Sequence, residues 1–231
     1  MRVRTGMRPI ENRADKGAEG DTKEMRIIGI TGGVGAGKSE ILAYLEKHYG
    51  ACVIQADQVG HLVMEPGGPA YQGVLQAFGG RDGVKGLLRE DGSIDRGVLG
   101  GLVFGKPEEL LRLNEIIHPA VKEWISREIE RQRQQGCELL VIEAALLIEG
   151  GYEKICQELW YIHADEEVRR ERLKSSRGYS DQRIDAVFAS QLSQEEFRRH
   201  CQVVIDNSKA FSDTCRQIGE AFDRWQMCAR P

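Results

Sequence analysis

The sequence has no uninterrupted apolar run long enough to cross a membrane, so a membrane-spanning protein is not expected. Its six cysteines are widely spaced and include no C-x-x-C pair, which favours reduced thiols in the cytoplasm over a zinc site or a disulfide framework. The formal net charge of −4 gives no global reason to expect a nucleic-acid partner. Without internal repeats, the 231 residues suffice for one α/β domain with an insertion, or for two small domains.

Residues 1–24 differ from the rest of the chain. They are rich in charge and glycine, and they contain almost no large apolar residues. This composition predicts a disordered extension, with Met25 as an alternative start of the protein. A targeting sequence fits less well because the segment has no apolar core and carries several acidic residues.

A glycine-rich segment at residues 32–39 is the most informative feature that is present. It fits G-x-x-x-x-G-K-[ST], the P-loop that binds nucleotide phosphates, between an apolar run predicted to be a strand and a helical pattern that ends at Gly50. The alternative is a glycine-rich turn that fits by chance, which this strand–loop–helix context disfavours. The predicted nucleotide contacts are Gly33, Val34, Gly35, Ala36, Gly37, Lys38, Ser39 and Glu40.

Each part of this loop has a chemical use. Successive backbone amides point at one spot, and the following helix adds positive potential at its N-terminus. Lys38 is predicted to reach the β- and γ-phosphates, and the Ser39 hydroxyl to hold Mg²⁺. The sequence therefore predicts a protein that binds ATP and Mg²⁺.

Short apolar strands alternate with helical patterns along the chain, which predicts a parallel sheet with helices on both faces. Residues 61–135 are mainly helical and are expected to form an insertion between two strands, with Pro107 and Pro119 each beginning a helix. The predicted strands are Ile27–Thr31, Cys52–Asp57, Leu139–Glu143, Leu159–Ile162 and Val203–Asn207.

Several short motifs occur in an order that resembles the dephospho-coenzyme A kinase family. They are Thr31–Ser39, Ala56-Asp57, Pro66-Gly67, Phe78-Gly79, Asp91-Gly92, Val103-Phe104, His118-Pro119, Leu146–Glu149, Gln191 and Val204–Asn207. Three motifs depart from the family: Gln55 replaces the first Asp of Asp-Ala-Asp, Ala145–Glu149 replaces Pro-Leu-Leu-Phe-Glu, and Ser39-Glu40 replaces Ser-Thr.

The resemblance implies an α/β fold of the P-loop kinase type, a doubly wound parallel sheet with a helical acceptor-binding insertion and a helical lid. The nucleotide-binding core is expected at 25–60 and 136–231, the acceptor-binding insertion at 61–135 and the lid at about 169–200. The implied reaction is transfer of the γ-phosphoryl group of ATP to the ribose 3′-hydroxyl of dephospho-CoA. The implied partner is this small-molecule substrate, and neither nucleic acid nor a membrane is expected to bind. The protein is expected to be cytoplasmic and to be a monomer or a weak homo-oligomer.

Two carboxylates at predicted strand ends are the main candidates for a general base and a magnesium ligand. The resemblance implies that Asp57 is the general base, and the alternatives are a helix cap or a ligand of a magnesium-bound water. Glu143 is expected to hold magnesium, or else to be a buried carboxylate bonded to backbone.

The other candidate residues each carry a structural alternative. Arg172 and Arg177, in the arginine-rich segment 169–177, are predicted to close over the triphosphate unless this segment is only a solvated face. His118 and Glu149 are predicted to contact the acceptor, or to be a helix cap and a loop carboxylate. Asn207 is predicted to contact adenine, or to shape a turn.

Two other functions fit parts of the pattern. A P-loop kinase for a nucleoside, a nucleoside monophosphate or a sugar acid would need the same loop, but the later motifs argue against it. A nucleotide-binding switch without turnover would need only the loop and the sheet, whereas Asp57 and the arginines favour an enzyme.

Overall fold

The computed structural model describes residues 24–79 and 86–228. The predicted extension, apart from its last residue, lies outside these ranges. Five parallel strands form one sheet within the described residues. They are β1 (Arg26–Thr31), β2 (Cys52–Gln55), β3 (Leu139–Glu143), β4 (Glu158–His163) and β5 (Val203–Asp206).

The strand order is β2-β3-β1-β4-β5, so β1 lies at the centre of the sheet. The register places Glu143, the last residue of β3, beside Gln55 on one side and Ile30 on the other. Because the strands are parallel, their carboxyl ends meet at one edge of the sheet, where open α/β folds bind ligands. The P-loop begins at this edge, directly after β1.

Alternate residues of the strands are buried on opposite faces of the sheet. Ile27 and Leu140 belong to one apolar cluster, whereas Ile28 and Val141 belong to the other. The first cluster packs against the helices between β2 and β3, and the second packs against the helices that follow β1 and β5. The predicted doubly wound architecture is therefore confirmed.

The described part of the chain forms nine α-helices. They are α1 (Lys38–Tyr49), α2 (Ala56–Leu62), α3 (Tyr71–Phe78), α4 (Arg96–Val103), α5 (Pro107–Gln134), α6 (Glu166–Arg177), α7 (Asp181–Ala189), α8 (Gln194–His200) and α9 (Phe211–Cys228). None of them combines the length and the apolar content that a membrane crossing requires. Helices α3–α5 lie within residues 61–135, the region predicted to be mainly helical, whereas α2 overlaps it only at His61 and Leu62.

Two local predictions were wrong. Pro119 does not begin a helix but lies inside α5, which is continuous for 28 residues. The buried residues Leu113, Val121 and Ile125 lie on both sides of the proline, so packing of this face offsets the roughly 3 kcal/mol that an interior proline costs. The second strand ends at Gln55, and Asp57 lies in the first turn of α2 instead of at the strand end.

Candidate active site

The P-loop lies between the end of β1 and the start of α1, as predicted. Gly35 and Gly37 have φ angles of 84° and 86°, which glycine adopts without the strain that a Cβ atom would bring. Gly37 is the N-cap of α1, and no side chain caps this helix end. The first backbone amides of α1 therefore have no side-chain acceptor, as a phosphate-binding helix N-terminus requires.

Lys38 and Glu143 form a largely buried ion pair at the end of the loop. The Lys38 ammonium donates to the Gly32 carbonyl at 2.7 Å and lies 3.6 Å from a Glu143 carboxylate oxygen. Burial lowers the pKa of Lys38, and the negative charges of Glu143 and Asp57 oppose this effect. The ammonium is thus held in a dry position, where one positive charge acts strongly on a phosphate.

Burial shifts the pKa of Glu143 in the opposite direction, since it raises the pKa of a carboxyl group. The nearby charge of Asp57 raises this pKa further, whereas the Lys38 charge and hydrogen bonds from Gln55 and Lys38 lower it. The Gln55 carbonyl oxygen in turn accepts a hydrogen bond from Gln58 at 2.5 Å. A neutral amide at residue 55 therefore supports Glu143, where an aspartate would add a further negative charge.

Asp57 and His118 line the same cavity. Its volume is about 130 Å³, and α2, α5 and the turn after β3 form its walls. The lining residues are Ala56, Asp57, Gly60, Ile117, His118, Val121, Ala144, Leu146, Gly150 and Tyr152. Glu149 is exposed in the turn that contributes Leu146 and Gly150, and it does not itself line this cavity. Asp57, whose negative charge acts on Lys38 and Glu143, therefore also lines a cavity with His118 but not with Glu149.

The arginines of α6 contact the loop at two places. Arg172 donates to the Ala36 carbonyl at 3.4 Å and to the Asn207 carbonyl at 3.0 Å, so the structure brings this predicted residue to the loop. Arg177 is exposed at the end of α6, with its guanidinium carbon 6.0 Å from the Tyr179 ring centre. Arg169, which the sequence did not single out, donates through Nε to the Val34 carbonyl at 2.9 Å.

Asn207 supports the loop from the end of β5. Its buried side chain donates to the Ala36 carbonyl at 2.9 Å and accepts from the Thr214 hydroxyl at 2.8 Å. A Cβ atom on Gly37 would clash with the Asn207 side-chain nitrogen, so this close approach requires glycine at residue 37. These contacts favour a structural role for Asn207, and its contact with adenine stays a prediction.

Comparison with known proteins identifies the family. The dephospho-CoA kinase family model matches residues 26–213. The chain belongs to the dephospho-CoA kinase family. A dephospho-CoA kinase of Dehalococcoides mccartyi is 38% identical over 196 residues, which cover 84% of this chain and 96% of that protein.

Solved structures agree with the fold. The crystal structure of TT1252 from Thermus thermophilus matches with a TM-score of 0.73 and 29% identity, and the match covers 87% of this chain and 98% of that one. The dephospho-CoA kinase from Campylobacter jejuni matches with a TM-score of 0.65 and 21% identity, over 88% and 98% of the two chains. This dephospho-CoA kinase family member therefore has the fold that its sequence predicts.

Proposed function

We propose that this chain transfers the terminal phosphoryl group of ATP to the ribose 3′-hydroxyl of dephospho-CoA, which gives coenzyme A and ADP. The observation that carries the proposal is the position of Asp57, which is shared by the phosphate site and the cavity. Its charge acts on the pKa values of Lys38 and Glu143, and its side chain lines the cavity that His118 also lines. Donor and acceptor would therefore meet at one carboxylate.

Asp57 is the proposed general base. It lies in the first turn of α2, immediately after the carboxyl end of β2, and is exposed to the cavity. A carboxylate within hydrogen-bonding reach of the attacking hydroxyl accepts its proton as the new phosphorus–oxygen bond forms. Because the hydroxyl attacks the γ-phosphorus directly, the proposed reaction needs no enzyme nucleophile.

Lys38 and the loop amides are the proposed ligands of the transferred group. Charge spreads over the equatorial oxygens in the transition state of phosphoryl transfer, so a fixed ammonium and several amides stabilise that state. Arg172 is the proposed lid arginine, since its guanidinium already contacts the loop at Ala36. Arg177 and Glu149 keep their predicted roles only as hypotheses about a ligand-bound state.

Magnesium fits the oxygen donors around the loop. The described residues contain no cluster of three or more acidic, histidine or cysteine side chains that could hold a metal ion. Mg²⁺ is commonly bound by one or two carboxylates, with waters and substrate phosphates as the other ligands. Ser39, with Glu143 through a water, would hold the ion, which when bound neutralises charge on the β- and γ-phosphates.

The function is tested by offering the purified protein ATP and Mg²⁺ with different alcohols and measuring ADP formation. Dephospho-CoA is expected to give turnover, and phosphorus NMR is expected to place the new phosphate on the ribose 3′-oxygen. Nucleosides, nucleoside monophosphates and sugar acids serve as competing acceptors. Turnover with one of these and not with dephospho-CoA would contradict the proposal, and binding of ATP without any turnover would favour a switch.

The decrease of kcat at acid pH should depend on Glu143. Because burial raises the pKa of this carboxyl, Glu143 is protonated at a higher pH than an exposed glutamate, and its pairing with Lys38 is lost as the pH falls through that pKa. Glu143→Gln is expected to lower kcat by about 10-fold to 100-fold, in the range for residues that support a metal site, and to remove this step from the profile.

The same pKa shift affects the stability of the fold. A carboxyl group whose pKa rises on folding lowers the free energy of unfolding while it is ionised, and this loss of stability disappears as the pH falls.

Glu46→Gln is the matched control, since Glu46 is an exposed glutamate of α1. Its kcat–pH profile should overlay that of the wild type. An unchanged acid limb in Glu143→Gln would contradict the role of this carboxylate.

The remaining expectations concern location and assembly. We propose a cytoplasmic protein, which agrees with the five free cysteines among the described residues. A monomer or weak homo-oligomer, and the absence of nucleic-acid and membrane partners, stay predictions from the sequence.

A further inference from the structure

Gln191 lies between α7 and α8 and contacts the phosphate loop. Its side-chain carbonyl accepts the Val34 backbone N–H at 3.3 Å and the Arg169 Nη2 donor at 2.8 Å. Arg169 also donates through Nε to the Val34 carbonyl at 2.9 Å. The two side chains therefore bind both polar groups of one loop residue and also bind each other.

The surroundings of Arg169 fix this arrangement. Its guanidinium carbon lies 4.2 Å from the ring centre of Phe188 in α7, a cation–π distance. A Cβ atom on Gly33 would clash with Arg169 Nη2, so the loop is shaped to admit this guanidinium. The contacts link the loop to α6, to α7 and to the segment before α8, which all lie in the predicted lid.

The contacts of Arg169 also affect the position of Arg172. Arg169 and Arg172 are three residues apart on α6 and so lie on one face of the helix. One contacts the loop at Val34 and the other at Ala36. Displacement of Arg169 would therefore shift the face of α6 that also carries Arg172, and with it the hydrogen bond from Arg172 to Ala36.

We propose that Gln191 and Arg169 form a positioning pair. The pair holds the loop at Val34, and it holds the face of α6 that carries Arg172, in the geometry that binds nucleotide. The inference rests on the proposed function insofar as that geometry serves phosphoryl transfer. Gln191 acts through Val34 and Arg169, since its side-chain oxygen accepts a hydrogen bond from each. Arg169 donates one hydrogen bond to Gln191 and one to the Val34 carbonyl.

The test is a double-mutant cycle read by calorimetric binding of ADP with Mg²⁺ to the full chain. Gln191→Met keeps the side-chain length without the acceptor oxygen, and Arg169→Met removes the donors. Each change is expected to weaken ADP binding by about tenfold, the cost of one hydrogen bond to a charged group. The double variant should also lose only about tenfold in ADP affinity relative to the wild type, because the first substitution has already broken the pair.

Gln157→Met is the matched control. Gln157 Oε1 also accepts a backbone hydrogen bond, from Ile27 at 2.6 Å, at the opposite end of the sheet. Both variants are expected to lose thermal stability, because each leaves a backbone N–H without its acceptor, but Gln157→Met should bind ADP as tightly as the wild type. In Gln191→Met the KM for dephospho-CoA should stay within about twofold, since the pair does not touch the acceptor cavity.

Two results of the double-mutant cycle would overturn the inference. One is ADP binding in Gln191→Met equal to that of the wild type. The other is a double variant whose loss is the product of the single losses, about a hundredfold, since independent sites add in free energy. If the double variant does not fold, Arg169→Lys replaces it, because lysine keeps the charge but not the forked donors. An unaltered ADP affinity in Arg169→Lys would also overturn the inference, and a tenfold loss would support it.

The binding measurement needs no acceptor. It therefore tests the positioning pair separately from the identity of the acceptor, which the turnover measurements above decide.

Discussion

Replacing Lys38 by methionine is expected to lower kcat by about 10³-fold, the upper end of the range for removing one preorganised donor from a transition state. Methionine nearly fills the space but leaves the Gly32 carbonyl without its 2.7 Å donor and Glu143 without its cation at 3.6 Å. The transferred phosphoryl group would lose its nearest fixed positive charge. Steady-state kinetics with saturating ATP and acceptor measure this effect.

Lys47→Met provides the control for the Lys38 substitution. Lys47 is an exposed lysine in the last turn of the same helix, far along α1 from the loop. Its removal should leave kcat within about twofold, as for most surface substitutions. Equal kinetics for Lys38→Met and Lys47→Met would contradict the assignment of the loop as the phosphate site.

Asp57→Asn is expected to lower kcat by about 10²-fold to 10⁴-fold, the usual contribution of a general base. Asparagine keeps the size and the polarity of the side chain but cannot take the hydroxyl proton. The affinity for ADP, measured by calorimetry, should change little because the proposed role concerns the acceptor. The two measurements together separate a base from a residue that holds the nucleotide.

Asp213→Asn is a matched control for Asp57→Asn. Asp213 also lies in the first turn of a helix, α9, so both substitutions remove the same favourable interaction of a carboxylate with a helix N-terminus. Only Asp57→Asn should affect turnover. Full activity in this variant would exclude Asp57 as the base, and a large loss of ADP affinity with Mg²⁺ would favour a metal-binding role instead.

The sequence predicted the loop and the five strands because both depend on local pattern. A glycine-rich stretch between an apolar run and a helical stripe has few alternatives, and Leu139–Glu143 forms a strand with the predicted bounds. The error at Asp57 also has a local cause. Ala56 and Asp57 suit the first turn of a helix, so α2 begins one residue after Gln55 with no intervening loop.

The supporting contacts of the site could not be predicted from the sequence. Val34 and Gln191 are 157 residues apart, and Ala36 and Asn207 are 171 apart, so no periodic pattern connects them. Among the five arginines and lysines of residues 169–177, spacing does not show which side chain reaches the loop. The resemblance favoured Arg172 and Arg177, whereas the packed fold places Arg169 and Arg172 against the loop. Pro119 was misread because local rules give a proline greater weight than the buried face that runs past it.

Asp57 is proposed to serve both the phosphate site and the acceptor cavity. A crystal structure with dephospho-CoA and a non-hydrolysable ATP analogue would test this directly. We expect the ribose 3′-oxygen to lie within hydrogen-bonding distance of Asp57 and in line with the terminal phosphate held by Lys38. A ribose bound away from Asp57, or a triphosphate outside the loop, would show that the proposed mechanism is wrong.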